Sequence, residues 1–112
     1  MSSEKRGHPR FEINQFVEMD FGHEIYISAE GINLSKNGVL CRTEEECPLY
    51  SNVFMMMTLP YKNKKRIINL EGVVNRSVHK KNGWETGVSI TSMNKASKTV
   101  FDEVINHLHA SG

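Results

Sequence analysis

Two arginines near the start of the chain, Arg6 and Arg10, have the spacing RxxxR. Gly7 and Pro9 lie between them and disfavour a helix at this point. Each guanidinium presents a planar fork of N–H donors that can pair with a phosphate or with O6 and N7 of guanine, and it can also stack on the face of a base. The pair therefore indicates a local site for a ligand that carries both phosphate and guanine.

A second motif, Asn33-x-Ser35-x-x-Gly38, follows further along the chain. It offers an amide, a hydroxyl and a glycine turn, which complement the two arginines in binding such a ligand. Each motif also has a simpler interpretation. The arginines could belong to a solvated N-terminal tail, and Asn33 or Ser35 could form an Asx or Ser turn that leads into a strand.

The composition is that of a single globular domain of 112 residues, with 14 Lys and Arg against 13 Asp and Glu. This balance gives no bulk attraction to nucleic acid or anionic lipid, so an anion site has to be local. The longest apolar run, 53–57, is too short to cross a membrane, and residues 1–5 lack the apolar stretch of a secretory signal. We therefore expect a cytoplasmic protein without membrane insertion.

Cys41 and Cys47 are the only cysteines, and they lack the CxxC spacing typical of zinc or thioredoxin chemistry. We expect reduced thiols, with Cys41 on the buried face of a strand, as in a reducing compartment. A disulfide or a redox role is the alternative.

Alternation of apolar and polar residues over 17–21 and 25–29, with a glycine break between them, predicts a β-hairpin. Further strands are predicted over 39–41, 53–59, 67–74 and 84–90. Pro60 is expected to end the strand 53–59, in which Met55, Met56 and Met57 are interpreted as core residues. The aromatic residues are dispersed and mostly assigned to alternating core positions.

Turn residues separate these strands. The polar stretch 61–66 gives one hairpin a basic tip, and Asn82-Gly83 predicts a tight turn with positive φ. The periodicity then changes to a helical one near the C-terminus, with Asn94 as the N-cap. The apolar residues of this helix are Val100, Phe101, Val104, Ile105 and Leu108. Short strands with one terminal amphipathic helix indicate a small antiparallel β-barrel that the helix covers or plugs.

No catalytic motif is recognisable, since the chain lacks GxSxG, a Gly-rich phosphate loop and HExxH. Glu103 and His107 lie four residues apart on the predicted helix, but two ligands do not make a metal site. Basic turns at 62–66 and 79–81 could contact nucleic acid, yet the interleaved aromatic residues of single-strand binders are missing. We therefore expect neither an enzyme nor a specific nucleic-acid binder.

Both motifs together, in this β context, resemble the PilZ domain family, whose members bind the bacterial second messenger cyclic di-GMP through RxxxR and a downstream [D/N]xSxxG. Here the motifs are Arg6-Gly-His-Pro-Arg10 and Asn33-Leu-Ser35-Lys-Asn-Gly38. Residues 72–76 and 84–90 look like the family's central and closing strands. The resemblance implies a six-stranded antiparallel β-barrel with one C-terminal helix over 11–110. A flexible tail, 1–10, would carry RxxxR across the second motif on the barrel's outer surface.

The resemblance also implies a role for each motif residue. Arg6 and Arg10 would pair with guanine, stack on its plane and neutralise the phosphodiester charge. Asn33 would accept a hydrogen bond from guanine N1–H or N2–H. Ser35 would supply a hydroxyl, with nearby backbone amides, for a phosphate or a guanine edge. Gly38 would either adopt a backbone conformation forbidden to other residues or let the ligand approach the chain.

Two further residues are implied as weaker contributors. Arg76, near a strand end, would offer an extra stacking surface, or it would simply be a surface arginine. Lys5 precedes the first arginine at a position that influences whether one ligand or a self-intercalated pair is bound. A lysine there has positive charge without the stacking plane, so both stoichiometries stay open.

The implied function is that of a cytoplasmic, non-enzymatic cyclic di-GMP receptor that needs no other cofactor. Ligand binding is expected to order the tail against the barrel and so regulate a downstream protein partner in motility, biofilm formation or a related process. The alternative is a ligand-free PilZ-like adaptor that acts only through protein–protein contacts. A nucleic-acid-binding β-barrel is a further alternative, disfavoured by the near-neutral charge.

Overall fold

The computed structural model describes residues 11–12, 16–22 and 26–111 of the chain. The elements, in chain order, are β1 (Phe11–Glu12), β2 (Phe16–Asp20), β3 (Tyr26–Leu34), β4 (Gly38–Thr43), β5 (Asn52–Tyr61), β6 (Lys64–Lys80), β7 (Gly83–Met93) and α1 (Lys95–Ser111). No helix in these ranges is long and apolar enough to cross a membrane. The predicted tail, 1–10, lies outside the described residues.

All strand pairings are antiparallel, and the sheet closes on itself through the pairing of β3 with β4. The closed order is β3-β2-β5-β6-β7-β4, which confirms the predicted six-stranded antiparallel barrel. β1 is an additional short segment beside β3. Glu30 of β3 pairs with Phe16 on one edge and Arg42 on the other, so β1 lies on the edge that β2 also uses.

Alternate residues of the strands fill the barrel, as the period of two requires. Examples are Met19 of β2, Met57 of β5, Ile68 of β6 and Val88 of β7, all of which are fully buried or nearly so. Phe101 of α1 belongs to the same apolar cluster, so the helix closes the core rather than forming a separate layer. Burial of a phenylalanine side chain stabilises a fold by about 1.5–3 kcal/mol, which holds α1 in place.

The start of α1 has the predicted cap. Asn94 accepts a hydrogen bond from the Ser97 amide at its side-chain Oδ1 (2.7 Å), and its carbonyl accepts from the Lys98 amide (2.8 Å). The Ser97 hydroxyl in turn accepts from the Asn69 amide of β6 at 2.9 Å. The cap therefore begins the helix and also attaches it to the barrel wall.

The prediction that Pro60 ends its strand is wrong, because β5 continues through Pro60, which lies opposite Lys65 of β6. Among the described residues, β2 pairs with β5 only as far as Met57. Beyond that point no described residue pairs with β5 on this edge. A proline is tolerated there, since its missing N–H is not needed by a neighbouring strand.

The two basic turns differ from each other. Lys62 and Asn63 form a two-residue loop with φ of 52° and 61°, the left-handed pair typical of a type I′ hairpin. In the β6–β7 hairpin the loop residues are Lys81 and Asn82, one position before the predicted turn. Only Gly83 has a positive φ in that turn (130°), and a Cβ there would lie 2.6 Å from the Thr43 carbonyl oxygen.

The interpretation of all three methionines as core residues is wrong for Met56, and the core assignment of aromatic residues is wrong for Phe54. Met55 and Met57 point into the barrel, whereas the intervening Met56 and the preceding Phe54 lie on the outer face. Strand alternation makes this unavoidable in an unbroken apolar run.

Cys41 is buried on the inner face of β4, as predicted, and both Cys41 and Cys47 are free thiols. Burial raises the pKa of Cys41 to about 12, with a further contribution from the nearby Cys47. Burial likewise raises the pKa of Cys47.

Candidate functional site

A β-bulge in β3 turns Asn33 towards the outer surface of the barrel. Gly31 and Leu34 are both buried although they lie three residues apart, which a regular strand would not allow. The register with β4 shifts between Gly31 and Asn33, so Ile32 is the extra residue. Without this bulge Asn33 would share the inward orientation of Gly31. The bulge instead leaves it half-buried on the outer face.

A second bulge in β6 has a similar effect. Val74 pairs with Val88 of β7, but the next pair is Arg76 with Gly87, so Asn75 is the extra residue. Asn75 and Arg76 are consecutive and both exposed, which the bulge makes possible. Arg76 is thereby placed on the outer face, opposite a glycine.

These two bulges bring four residues into one line across four strands. Asn33 of β3 pairs with Leu40 of β4, Leu40 pairs with Gly87 of β7, and Gly87 pairs with Arg76 of β6. With neighbouring strands about 4.8 Å apart, the line is roughly 14 Å long. We call these four residues the transverse row.

Gly87 is needed in this row because its neighbours approach closely. A Cβ at this position would lie 2.8 Å from Asn75 Oδ1 and 3.0 Å from the Cβ of Arg76. Asn75 is itself oriented by a hydrogen bond from its side-chain Nδ2 to the Ser89 hydroxyl. The absence of a side chain at Gly87 therefore lets the β6 bulge pack over β7.

The loop that joins β3 to β4 carries the second sequence motif. Ser35 is buried, and its amide donates to the Gly38 carbonyl at 2.9 Å, with its hydroxyl 3.5 Å from the same oxygen. The Asn37 carbonyl accepts from the Ile90 amide of β7 at 2.9 Å. In this structure the Ser35 hydroxyl and amide thus close the loop, and contact of the hydroxyl with a ligand stays a prediction.

Of the two alternatives for Gly38, the special backbone conformation is wrong, because its φ is not in the left-handed region. A Cβ at this position would lie 3.0 Å from the Val88 carbonyl oxygen. The close neighbour in the structure is the backbone of β7. Glycine here allows the loop to dock on that strand.

The loop and one end of the transverse row border a single depression of about 170 Å³. Ser35, Gly38 and Arg76 all line it, together with Leu40 and Gly87. Asn33 is not among its lining residues and lies at the far end of the row. The structure therefore brings three of the predicted residues into one depression and places the fourth on the same face.

Ion pairs flank this site. Arg76 Nε and Nη2 lie 3.1 and 3.0 Å from Oε1 of Glu85, which is on the adjacent β7. Arg42 and Glu30 form a weaker pair across β4 and β3, at 3.4 Å. The guanidinium of Arg76 is thus already held by a carboxylate at the edge of the depression.

A model of the PilZ domain family matches residues 4–107. The chain belongs to the PilZ domain family. Its fold is similar to that of the inhibitor of motility MotI (DgrA) from Bacillus subtilis, with a TM-score of 0.81, 14% identity and coverage of 96% of this chain. It is also similar to the PilZ domain of YcgR from Escherichia coli, solved with c-di-GMP, with a TM-score of 0.63, 12% identity and 96% coverage.

The chain covers 52% of the MotI chain and 93% of the YcgR domain, so it spans about half the length of the former. No curated protein matches the sequence significantly. At these identities the structural likeness establishes the PilZ fold.

Three of the predicted site residues of this PilZ domain, Lys5, Arg6 and Arg10, lie outside the described residues. The described chain begins immediately after Arg10. Phe11 pairs with Leu34, and Glu12 pairs with Asn33, which is the first residue of the second motif.

Sequence reasoning missed Leu40, Gly87 and Glu85 as members of the site. A glycine within a strand is a recognised sign of close backbone approach, so Gly87 did carry a signal. Leu40 and Glu85 carried none, because their place in the site follows from the registers of β4 and β7.

In the ranges that are described, no three His, Cys, Asp or Glu side chains cluster in a way that could hold an ion. Glu103 instead lies 3.9 Å from Arg66 of β6.

Proposed function

We propose that this PilZ protein is a non-enzymatic receptor for cyclic di-GMP. One observation carries the proposal: β1 is hydrogen-bonded beside the second motif, with Phe11 opposite Leu34 and Glu12 opposite Asn33. Because Arg10 is covalently joined to Phe11, the RxxxR motif is attached at the place where the second motif begins. The fold shared with the YcgR domain solved with c-di-GMP supports the choice of ligand.

The arginines of the tail would provide most of the binding energy. Arg6 and Arg10 pair with guanine O6 and N7, stack on the base and neutralise phosphate, since charge-assisted bidentate contacts are about twice as strong as neutral ones. Asn33 accepts a hydrogen bond from a guanine edge. The Ser35 hydroxyl gives up its long 3.5 Å contact with the Gly38 carbonyl and donates a hydrogen bond to the ligand instead.

The transverse row would form the floor under the ligand. Leu40 is half-buried and offers a low apolar surface for the face of a base, while Gly87 beside it is buried under the β6 bulge. Arg76, at the end of the row, can extend this surface by stacking, provided that it leaves Glu85. These roles follow the geometry of the outer face.

Signalling would occur through the tail, residues 1–10. Ligand held between the tail and the barrel orders the tail, and a partner protein then meets a different surface. The fold is shared with an inhibitor of motility, so we place the output in motility or a related behaviour of a bacterial cell, with the receptor in the cytoplasm.

Isothermal titration calorimetry with cyclic di-GMP tests the proposal. We expect saturable binding that Arg10→Ala abolishes, and no comparable binding of the linear guanine dinucleotide. Lys65→Ala is the matched control, because it removes one positive charge from the exposed β5–β6 hairpin. The ligand-to-protein ratio decides between a single ligand and an intercalated pair.

Loss of binding in both variants would indicate simple charge attraction. Absence of binding to well-folded protein would overturn the proposal and favour the ligand-free adaptor. Hydrogen exchange tests the switch separately: amides of the tail should become protected on addition of ligand, while those of the barrel core stay unchanged. Equal protection with and without ligand would exclude an ordering mechanism.

A further inference from the structure

A second face of the barrel, formed by β2, β5 and β6, exposes large apolar side chains. Phe54 is 56% exposed and Met56 is 39% exposed, and Ile67 on the neighbouring strand is 57% exposed. Phe54 and Met56 line a depression of about 560 Å³, more than three times the volume of the one beside Arg76. A cluster of exposed apolar residues in a concave surface is typical of an interaction site.

Carboxylates lie directly beside these apolar side chains. Glu18 of β2 pairs in register with Met56. In the next outward-facing row, Phe54 lies between Asp20 of β2 and Glu71 of β6. Each of the two apolar side chains on β5 therefore has at least one carboxylate residue beside it on a neighbouring strand.

The ion pairs formed among the described residues do not include the carboxylates of Glu18, Asp20 or Glu71. Glu30, Glu85, Asp102 and Glu103 are each within 4.0 Å of a Lys or Arg nitrogen. Glu18 and Glu71 have no such ion pair within the part of the chain that the structure describes. An acidic and apolar surface of this kind is complementary to a partner that carries apolar and basic side chains together.

We propose that this face, defined by Glu18, Asp20, Phe54, Met56 and Glu71, docks an amphipathic helix of another protein whose apolar stripe is bordered by Lys or Arg. Phe54 and Met56 are about 6.7 Å apart along β5, since two strand residues rise by this amount. The i and i+4 positions of a helix are about 6 Å apart along its axis. One apolar pair of the helix therefore meets Phe54 and Met56, and basic residues beside the stripe reach the carboxylates.

The docking face is separate from the transverse row. It uses β2, β5 and the first half of β6, whereas the row uses β3, β4, β7 and the second half of β6. The inference supplies the partner chemistry that the proposed receptor function requires. It does not depend on cyclic di-GMP, because none of the five residues that define the face belongs to the transverse row or to the depression beside Arg76.

The test uses a helical peptide of about 18 residues made of Leu and Lys, and a second in which Glu replaces Lys. Binding to the full chain is measured by fluorescence anisotropy. We expect the Leu–Lys peptide to bind and the Leu–Glu peptide not to bind. Phe54→Ser combined with Met56→Ser should weaken binding at least about tenfold, as for central interface anchors. Leu49→Ser, at another exposed apolar residue, is the control and should leave binding unchanged.

Charge reversal provides the sharper comparison. Glu18→Lys combined with Glu71→Lys should reverse the preference, so that the Leu–Glu peptide binds more tightly than the Leu–Lys peptide. A shift of the Met56 methyl resonance on addition of the Leu–Lys peptide would place the contact on this face. Binding that survives the serine variants, or a preference that charge reversal leaves intact, would overturn the proposal.

Two further measurements separate this inference from its rivals. Concentration-dependent dimerisation that the serine variants abolish would assign the face to a second copy of the chain and overturn the proposal. Urea unfolding of the serine variants should match that of the unmodified protein, which shows that they are folded. Failure of the unmodified protein to bind cyclic di-GMP would count against the receptor function only and leave the docking face standing.

Discussion

Gly87 lies directly opposite Arg76, and a Cβ on Gly87 would be only 3.0 Å from the Cβ of Arg76. The same added atom would lie 2.8 Å from Asn75 Oδ1, so both exposed residues of the β6 bulge depend on this glycine. Gly87→Ala should therefore displace Asn75 and Arg76 and break the hydrogen bond from Asn75 to Ser89. We expect it to lower the free energy of unfolding by about 1 kcal/mol, at the low end for overpacking because Asn75 can swing aside.

Urea unfolding measures this cost, and Thr91→Ala on the exposed side of the same strand is the control, with an expected change within about 0.5 kcal/mol. Under the proposed receptor function, Gly87→Ala should also reduce the free energy of cyclic di-GMP binding, and by more than it reduces the free energy of unfolding. Unchanged stability and unchanged affinity together would contradict the close packing of β6 over β7.

The sequence was sufficient to predict most strands and the helix, because these depend on local patterns, whereas the number of strands in the closed barrel followed from the resemblance to the PilZ family. Alternation gave the strands, and the cap at Asn94 with its downstream apolar stripe gave α1. The orientation of Asn33 could not be predicted in this way. It depends on Ile32 being an unpaired extra residue, which follows from the exact register of β3 against β4 and not from the alternation of apolar and polar residues.

The residues exposed on the outer face of the barrel were harder still to predict from the sequence. Met55, Met56 and Met57 have similar hydropathy, and only the register of β5 between β2 and β6 decides that the middle one is exposed. Arg76 was predicted as a candidate, but its neighbours Gly87 and Glu85 come from another strand. When a site is assembled across four strands, the sequence therefore predicts only those of its residues that lie close together in a motif.

Removal of the helix cap should destabilise the fold measurably. Asn94→Ala leaves the Ser97 amide without its 2.7 Å partner, and loss of an N-cap costs about 0.5–2 kcal/mol. We expect a lower urea midpoint with an unchanged m-value, since the same surface is buried in both proteins. Asn94→Asp keeps the acceptor oxygen and should behave like the unmodified protein. An equal loss in both variants would show that the cap is not the cause.

The buried thiol of Cys41 should make the fold sensitive to alkali. Its pKa is raised from 9.0 to about 12 in the folded protein, because burial disfavours the thiolate. Between these two values the unfolded chain loses a proton that the folded chain retains. The contribution of this thiol to the free energy of unfolding should therefore be fully present below pH 9. It should decrease as the pH rises towards 12, by at most roughly 1.4 kcal/mol per pH unit.

Alkali acts on the whole chain, so the comparison has to be made with a matched variant. Cys41→Ala should have lower stability at neutral pH but a shallower decline above pH 9. Urea unfolding at a series of pH values gives both quantities. Parallel declines in the two proteins would mean that Cys41 does not contribute to the pH dependence.

The ion pair between Arg76 and Glu85 should oppose ligand binding if Arg76 stacks on a guanine. Arg76 is half-exposed, so the pair contributes only about 0.2–1 kcal/mol, which corresponds to a factor of roughly 1.5 to 5 in affinity. Glu85→Gln should therefore tighten cyclic di-GMP binding by about this factor, and Arg76→Ala should weaken it. Calorimetry against Glu45→Gln, at an exposed loop position, separates local release from a general change of charge. Weaker binding of Glu85→Gln would instead mean that the carboxylate positions Arg76 for the ligand.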